Sequence, residues 1–478
     1  KRILRESDTA SIELGGGSLS AYDVIVLGGG PGGYVAAIMA SQLGAKTALI
    51  EKEFVGGVCL NVGCIPTKTL LQNASVYQTI LSADKFGVTV DKKSVKIDWQ
   101  GMLKRKDQVV GQLTNGVKTL LKRNKVTIYD GFGEVVSPTE VTVNGEKLST
   151  KKLILATGSS PILPPIDGLK EAYDKGFALT STELLSYDKI PSKLVIVGGG
   201  VIGVEFASLF STLGTSVTIL EREENILLMT DDDVRQAMIR SLKRSGVDIQ
   251  TGANVVGFKD NIVTYEKDGK KVDVEADIAL VSIGRRPNLV GLENLGLEIT
   301  RQGVVTNERL ETNVPNVYAI GDLNGKYMLA HVASAEGIVA AKNAMGIEAT
   351  IDYRVVPSAV YSFPEIAQVG LTEKEAREQG IEPIVGTFPL AANGKALAEG
   401  NAEGFVKIIA DPTYNEIIGL HIIGPHATDL ISEGVIAMAL EGTLDDIAQA
   451  IHPHPTISEI VMEAAHVGLG HPIHIVKK

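Results

Sequence analysis

The sequence predicts an α/β fold of two Rossmann-like domains followed by a C-terminal α+β domain, and three observations lead there. Residues 22–27 form a short apolar, β-rich run, followed at once by Gly28-Gly29-Gly30-Pro31-Gly32-Gly33, a helical stretch over 34–42 and a second buried strand over 47–50. The same order returns 170 residues later: a strand at 194–197, then Gly198-Gly199-Gly200-Val201-Ile202-Gly203, a helix through Leu213, and a strand at 216–220. Two βαβ units that far apart belong to two domains, not to one duplicated half-sheet. From about Val355 the pattern changes, with strand-like segments (359–363, 405–410, 416–423) followed by helical ones (429–441, 458–466), the order of an α+β domain.

Length and charge agree with this division. A chain of 478 residues exceeds one ordinary hydrophobic core, so two to four domains are expected. The 51 glycines gather in short motifs and not in a repeat, as tight turns near ligands require. A formal net charge of −11 argues against general binding of nucleic acid or anionic membrane. The basic runs 102–107 and 118–125 are expected to be solvated helix faces. The most apolar stretch, 194–214, contains a Gly cluster and Glu205, which makes it a strand, turn and helix and not a membrane span. The start, Lys1-Arg2-Ile3-Leu4-Arg5-Glu6, soon turns polar and is no secretory signal, so a cytoplasmic location is expected, or a mitochondrial matrix one in a eukaryote. Residues 1–20 end in Gly15-Gly16-Gly17-Ser18 and fit a flexible linker, a leftover of cloning, or the tail of a lost upstream domain.

Each Gly-rich turn sits where a dinucleotide fingerprint must sit, after a strand and opening a helix. In Gly28-x-Gly30-x-x-Gly33 the first glycine permits the turn, the second lets a pyrophosphate approach the backbone, and the third lets helix and strand pack closely. Glu51, eighteen residues past Gly33, ends the next strand, where a carboxylate can accept from ribose hydroxyls. In Gly198-x-Gly200-x-x-Gly203 the matching acid, again eighteen residues on, is Glu221, which suits the free 2′-hydroxyl of NAD and repels the 2′-phosphate of NADP. Arg222 beside it weakens that preference without reversing it.

The chain has just two cysteines, Cys59 and Cys64, in Gly56-Gly57-Val58-Cys59-Leu60-Asn61-Val62-Gly63-Cys64-Ile65-Pro66-Thr67-Lys68. Two inert buried thiols would be the plain reading. A four-ligand zinc site would need distant histidines, and no metal is expected. A close, isolated pair in a reducing compartment is more often catalytic. In an ideal helix residues five apart lie roughly 8–9 Å from Cα to Cα, whereas an unstrained disulfide wants less than about 7 Å. Gly57 and Gly63 can allow the local distortion such a pair needs.

The stretch from Gly56 to Lys68 resembles the active-site segment of pyridine nucleotide–disulfide oxidoreductases, and among them that of the dihydrolipoamide dehydrogenases. Further matches are Ala156-Thr157-Gly158, Ser282-Ile283-Gly284-Arg285-Arg286-Pro287-Asn288 and Tyr318-Ala319-Ile320-Gly321-Asp322, so the likeness runs from Ala21 to the C-terminus. It implies that the first fingerprint, with Gly158 and Asp322, binds FAD, and that the second, with Gly284, binds NAD. The implied division is 1–20 linker, 21–160 and 286–354 two parts of an FAD-binding domain, 161–285 an NAD-binding domain, and 355–478 a dimerisation domain. Lys68 and Glu205 resemble the family's ion pair near the flavin and nicotinamide.

The last motif, His452-Pro453-His454-Pro455-Thr456-Ile457-Ser458-Glu459, offers a histidine with an acid five positions on that can fix its tautomer and raise its basicity. By resemblance His454 is the base, Glu459 its orienting partner and His452 the competing candidate. The likeness also implies a homodimer in which the base reaches the cysteines of the other subunit. The implied activity is oxidation of dihydrolipoyl-lysine on the lipoyl domain of an acyltransferase, within a 2-oxo acid dehydrogenase complex. Cys59 would be the interchange thiol, Cys64 the thiolate against the flavin, and NAD⁺ the final acceptor. A glutathione-type reductase running the opposite way on NADPH is the alternative, with Glu221 and the wording around the cysteines against it. Mercuric reductases and large thioredoxin reductases need redox residues beyond Cys59 and Cys64. A non-catalytic subunit of a multienzyme complex would be expected to have lost some of these groups. Val58 and Thr67 stand where Thr and Ser are common in the family.

Overall fold

A computed structural model describes residues 20–477. The segment 1–19, most of the expected linker, lies outside the described residues. The first strand, Ser20–Leu27, begins inside that expected linker because Ser20 already pairs in parallel register with Leu148.

The first sheet has seven strands. Thr127–Asp130, Thr47–Glu51, Ser20–Leu27 and Glu146–Leu155 run parallel, and Val317–Ala319 pairs parallel to the last of these. Glu140–Val143 and Gly133–Ser137 continue it antiparallel. One face carries helix Pro31–Gln42, which lies against helix Ala330–Ala344 at backbone distance: a Cβ on Gly337 would come within 2.5 Å of the Gly32 carbonyl oxygen. The alanines flanking this contact, Ala36, Ala40, Ala340 and Ala341, are fully buried. Small side chains thus bring residues three hundred positions apart in sequence onto the back of the first fingerprint.

The second sheet is five-stranded and parallel, in the order Asp248–Gln250, Ser216–Leu220, Lys193–Val197, Ile278–Val281, Ala178–Leu179. An antiparallel meander of three strands, Asn254–Lys259, Ile262–Lys267 and Lys270–Glu275, forms a separate sheet packed against it. The chain leaves the first sheet along Ser159–Pro161 and returns along Arg285–Pro287, and these two segments pair antiparallel. A continuous apolar cluster ties the two units together, with Leu70, Leu71 and Trp99 of one packed among Phe206, Phe210 and Leu213 of the other.

The third sheet is antiparallel, in the order Ser358–Val360, Glu365–Gly370, Ile417–Gly424, Phe405–Ala410, Ile384–Pro389. Helices Ala427–Ala439 and Glu459–Gly468 follow the strands and bury Ile431, Ile460, Val461 and Ala464 in its core.

One expectation fails. The basic run 102–107 lies in helix Trp99–Arg123, but Lys106 is buried and not solvated. Its ammonium donates to the Leu185 carbonyl at 2.8 Å and to Ser186 Oγ at 3.2 Å, held beneath a loop from elsewhere in the chain.

Candidate functional site

A cavity of about 2350 Å³ opens between the first and second sheets and reaches the third. Gly28, Gly30, Gly33, Glu51, Cys59, Cys64, Lys68, Gly158, Gly198, Gly200, Glu205, Glu221, Gly284 and Asp322 all line it.

The two Gly-rich turns are built alike. Gly28 has φ +105°, and a Cβ there would lie 2.0 Å from the Ala156 carbonyl oxygen; Gly198 has φ +108°, and its Cβ would lie 2.3 Å from the Ser282 carbonyl oxygen. Gly33 and Gly203 press back on Gly28 and Gly198, whose carbonyl oxygens a Cβ would meet at 1.8 and 2.2 Å. Gly33 and Gly203 both pack helix onto strand; Gly33 also lines the cavity, whereas Gly203 does not. Gly30 and Gly200, each the cap of its helix, meet no atom nearer than 3.9 Å, so both helix N-termini are bare toward the cavity, ready for an anion.

The acids brace these turns. Glu51 Oε2 accepts from the Gly29 N–H at 2.7 Å, and Glu221 Oε2 accepts from the Gly199 N–H at 2.6 Å. Their other oxygens accept from the N–H groups of Glu53 and Glu223, at 2.7 and 2.8 Å. A carboxylate has about four acceptor positions, so both keep room for ribose hydroxyls. Arg222 is held on Glu223 Oε1 by two N–H groups, at 2.9 and 3.1 Å.

The cysteines sit across a break in a helix. Helix Gly57–Val62 stops at Gly63, whose φ of −142° and ψ of −113° are not helical, and Cys64–Leu81 resumes at once. Thr67 Oγ1 holds the break by donating to the Gly63 carbonyl at 2.7 Å. A seryl hydroxyl could do the same. The break brings the two thiols into hydrogen-bond contact, with Cys59 as donor and Cys64 as acceptor. That bond pushes the Cys59 thiol up, reinforced by burial. The same bond, with the Lys68 ammonium nearby, lowers Cys64 to about 7 against the opposing effect of burial.

Lys68 Nζ donates to Glu205 Oε2 at 2.8 Å and lies 4.6 Å from the centre of the Tyr361 ring. Glu205 is buried in helix Val201–Thr212, and its Oε1 accepts from the Tyr361 N–H at 3.0 Å. One ion pair therefore joins the cysteine helix, the second fingerprint helix and the third sheet.

Several residues here escaped the sequence reading. Arg285 donates to Ser159 Oγ at 2.8 Å and to the Ser159 carbonyl at 2.7 Å, and Ser159 Oγ in turn donates to Asp322 Oδ2. Glu336, fully buried, accepts from the Gly321 N–H at 2.6 Å, from Asn324 Nδ2 at 3.1 Å and from the Tyr353 hydroxyl at 2.6 Å. Burial raises its carboxyl above the usual range, and these three donors oppose that rise. Arg285 lay inside a quoted motif and could have been found there. Glu336 carried no local signal.

His454 and Glu459 do not line the cavity, and a single chain does not bring them to the cysteines. His454 Nδ1 lies 2.9 Å from Glu459 Oε1, and Glu459 Oε2 accepts from the Thr456 N–H at 2.8 Å. A carboxylate can only accept, so Nδ1 carries the proton and Nε2 is left with a lone pair on a side chain 78% exposed. His452 is differently placed. Its side chain is 8% exposed, and both ring nitrogens are engaged, Nδ1 with the Ala450 carbonyl at 2.9 Å and Nε2 with Glu433 Oε1 at 2.5 Å.

Residues 22–337 match the family model for pyridine nucleotide–disulphide oxidoreductases, and residues 356–465 match that family's dimerisation domain. The chain belongs to the pyridine nucleotide–disulphide oxidoreductase family. It is similar to proteins named dihydrolipoyl dehydrogenase from several bacteria. It is 44% identical over 476 residues to one from Bacillus subtilis, covering 95% of this chain and 99% of that protein. It is 45% identical over 463 residues to one from Chlamydia muridarum (95% and 98%) and 56% identical over 326 residues to one from Acholeplasma laidlawii (68% and 97%). Among solved structures, an HOCl-induced flavoprotein disulfide reductase of Escherichia coli superposes with a TM-score of 0.82 at 28% identity, covering 92% of this chain and 98% of that one. The dihydrolipoyl dehydrogenases of this family use FAD and NAD(H). Among the described residues, no helix is long and apolar enough to cross a membrane.

Proposed function

We propose that this family member oxidises dihydrolipoyl-lysine, carried on the lipoyl domain of an acyltransferase in a 2-oxo acid dehydrogenase complex, and reduces NAD⁺. The observation that carries this reading is the thiol pair at the Gly63 break, with Cys64 poised near neutrality, on the wall of the cavity that both fingerprints share. The first turn, Glu51, Gly158 and Asp322 would hold FAD. The second turn, Gly284 and Glu221 would hold NAD, the Glu221 carboxylate at the turn disfavouring a 2′-phosphate. Bound FAD supplies the passage of two electrons from the thiol pair to NAD⁺.

The protein's own part in the thiol chemistry follows from its acceptors and donors. In the oxidised enzyme Cys59 and Cys64 share a disulfide. His454 Nε2 takes the proton of a substrate thiol, and the resulting thiolate attacks Cys59, breaking the disulfide and leaving Cys64 as a thiolate. The second substrate thiol gives up its proton, closes the substrate disulfide and expels Cys59. Cys59 then holds a proton that it shares with Cys64, and Lys68 balances the charge on Cys64.

His454 reaches a cysteine pair only in a second copy of the chain, so the working unit is a homodimer. The dimerisation domain supports this, since it exposes Tyr414, Ile436, Leu440 and a 98% exposed Ile451 beside the histidine motif. A bacterial cytoplasm or a mitochondrial matrix would keep the pair cycling. Stopped-flow absorbance during anaerobic reduction with dihydrolipoamide, followed by NAD⁺, tests the reading. Flavin reduction and rapid NADH formation support it. An unchanged flavin, with turnover of another disulfide on NADPH, refutes the lipoyl assignment.

A further inference from the structure

We propose that His452 is a positioning residue held as an imidazolium, which ties the loop bearing His454 to helix Ala427–Ala439 through Glu433. The inference rests on the reading of His454 as the base. Its ground is the identity of the two partners of His452. A backbone carbonyl and a carboxylate oxygen both accept and never donate, yet the ring places one nitrogen 2.9 Å from the Ala450 carbonyl and the other 2.5 Å from Glu433 Oε1. A neutral imidazole has one N–H and can satisfy only one of them. Both contacts are made at once when both nitrogens carry hydrogen, and such charge-assisted bonds are the short, strong kind.

The placement gives this pair its role. His452 and His454 share the loop between helices Leu444–Gln449 and Glu459–Gly468, and His454 is the exposed member. The far end of the loop is already fixed: the Thr456 N–H donates to Glu459, and Asn393 Nδ2 donates to the Thr456 carbonyl at 3.0 Å. His452 fixes the near end. The titratable groups acting on it are Glu433 from helix Ala427–Ala439 and Glu459 from the following helix, the latter itself paired with His454. Burial pulls the His452 pKa down, but the Ala450 carbonyl and the two carboxylates outweigh it and hold it above the ordinary value. The tie is therefore complete below the ordinary histidine range and is lost as pH rises through the raised value.

The test is the pH profile of kcat/KM for dihydrolipoamide with NAD⁺, in the FAD-loaded dimer, for the native chain, His452→Gln and Glu433→Gln. In the native enzyme a falling limb, up to about tenfold per pH unit, follows loss of the His452 proton. Gln cannot titrate, so His452→Gln should abolish the falling limb. Glu433→Gln should move that limb to lower pH, because the neutral amide no longer stabilises the imidazolium. A His452→Gln enzyme slowed by the same factor at every pH, or one that keeps the native falling limb, overturns the proposal. Carbon-13 NMR of the labelled histidine rings, with His452 assigned by its loss in the variant, reads the proton directly. An ordinary titration midpoint for His452 overturns the inference even if the enzyme is active. If the native chain does not oxidise dihydrolipoamide at all, the lipoyl reading fails instead, and the NMR midpoint still decides the state of His452.

Discussion

Replacing Lys68 by Met and, separately, Glu205 by Gln should move the acidity of Cys64 in opposite directions. Cys64 is lowered to about 7, first by the hydrogen bond from Cys59 and then by the Lys68 charge, while the Glu205 carboxylate works against both. An opposite charge at close range typically shifts a pKa by 1–3 units. Lys68→Met should thus raise Cys64 by roughly one unit or more, so at the pH where the Lys68-containing reference is half ionised the ionised fraction falls to at most about one tenth. Glu205→Gln should lower it, leaving the thiol more than half ionised at the same pH. The assay is thiolate absorbance in the ultraviolet against pH, in a Cys59→Ser background that isolates Cys64 and keeps a hydroxyl to donate to it. Lys68→Met also leaves Glu205, only 4% exposed at its side chain, without its cation, although the Tyr361 N–H still reaches it. Near-UV circular dichroism must therefore first show native packing. If the two variants shift Cys64 the same way, or neither shifts it, the poise of the thiol does not come from this ion pair.

Three further outcomes follow from the same contacts. Gly33→Ala should yield protein without flavin absorbance and Gly203→Ala protein with flavin but weak NAD⁺ binding, because each added Cβ meets a carbonyl oxygen in its own turn; absorbance after purification and NAD⁺ titration check this pair. Glu221→Ala should raise the KM for NAD⁺ about tenfold or more, as loss of charge-assisted bonds worth about 1.5–3 kcal/mol requires, and should narrow the preference over NADP⁺. Steady-state kinetics with both coenzymes reads it. Lys407, 1% exposed, is met by Asp231, Asp233 and Glu373, and despite burial the bonds to Glu373 and Asp233 hold its pKa up. Lys407→Met should cost about 3–5 kcal/mol, seen as a lower urea midpoint, and the deficit should shrink in acid as the carboxylates protonate.

The sequence carried the chemistry that is local in the chain. Strand, Gly-rich turn, helix and acid follow each other within thirty residues, and both cysteines lie in one heptad-length stretch, so spacing alone located them. That some distortion was needed was legible for the same reason: an ideal helix holds residues five apart too far apart for a disulfide, and Gly57 and Gly63 could yield. That the helix breaks at Gly63 came from the structure. What stayed hidden depends on partners distant in sequence. Lys106 looks like any surface lysine until the 185–186 loop closes over it. Glu336 reads as an ordinary helix residue, and its hold on Gly321 exists only once helix Ala330–Ala344 packs beside that turn. The meander over 254–275, which the sequence reading passed over, alternates polar and apolar residues too weakly to stand out beside the buried parallel strands. The separation of His454 from the cysteines within one chain is expected from the family resemblance, not from the spacing of any motif.

The antiparallel pairing of Ser159–Pro161 with Arg285–Pro287 means that the second coenzyme unit hangs from the first by two leads lying side by side. Topologically it is a plug: the chain could be rejoined from 158 to 288, where the Asn288 N–H already donates to the Gly158 carbonyl at 2.9 Å, without unthreading either sheet. Energetically it is not one, since excision would strip Leu70, Leu71 and Trp99 of the Phe206, Phe210 and Leu213 side chains that cover them. The unit is easy to exchange for another of the same shape and hard to do without. Such wiring lets coenzyme preference change by substitution of one cassette while the thiol chemistry beside it stays untouched.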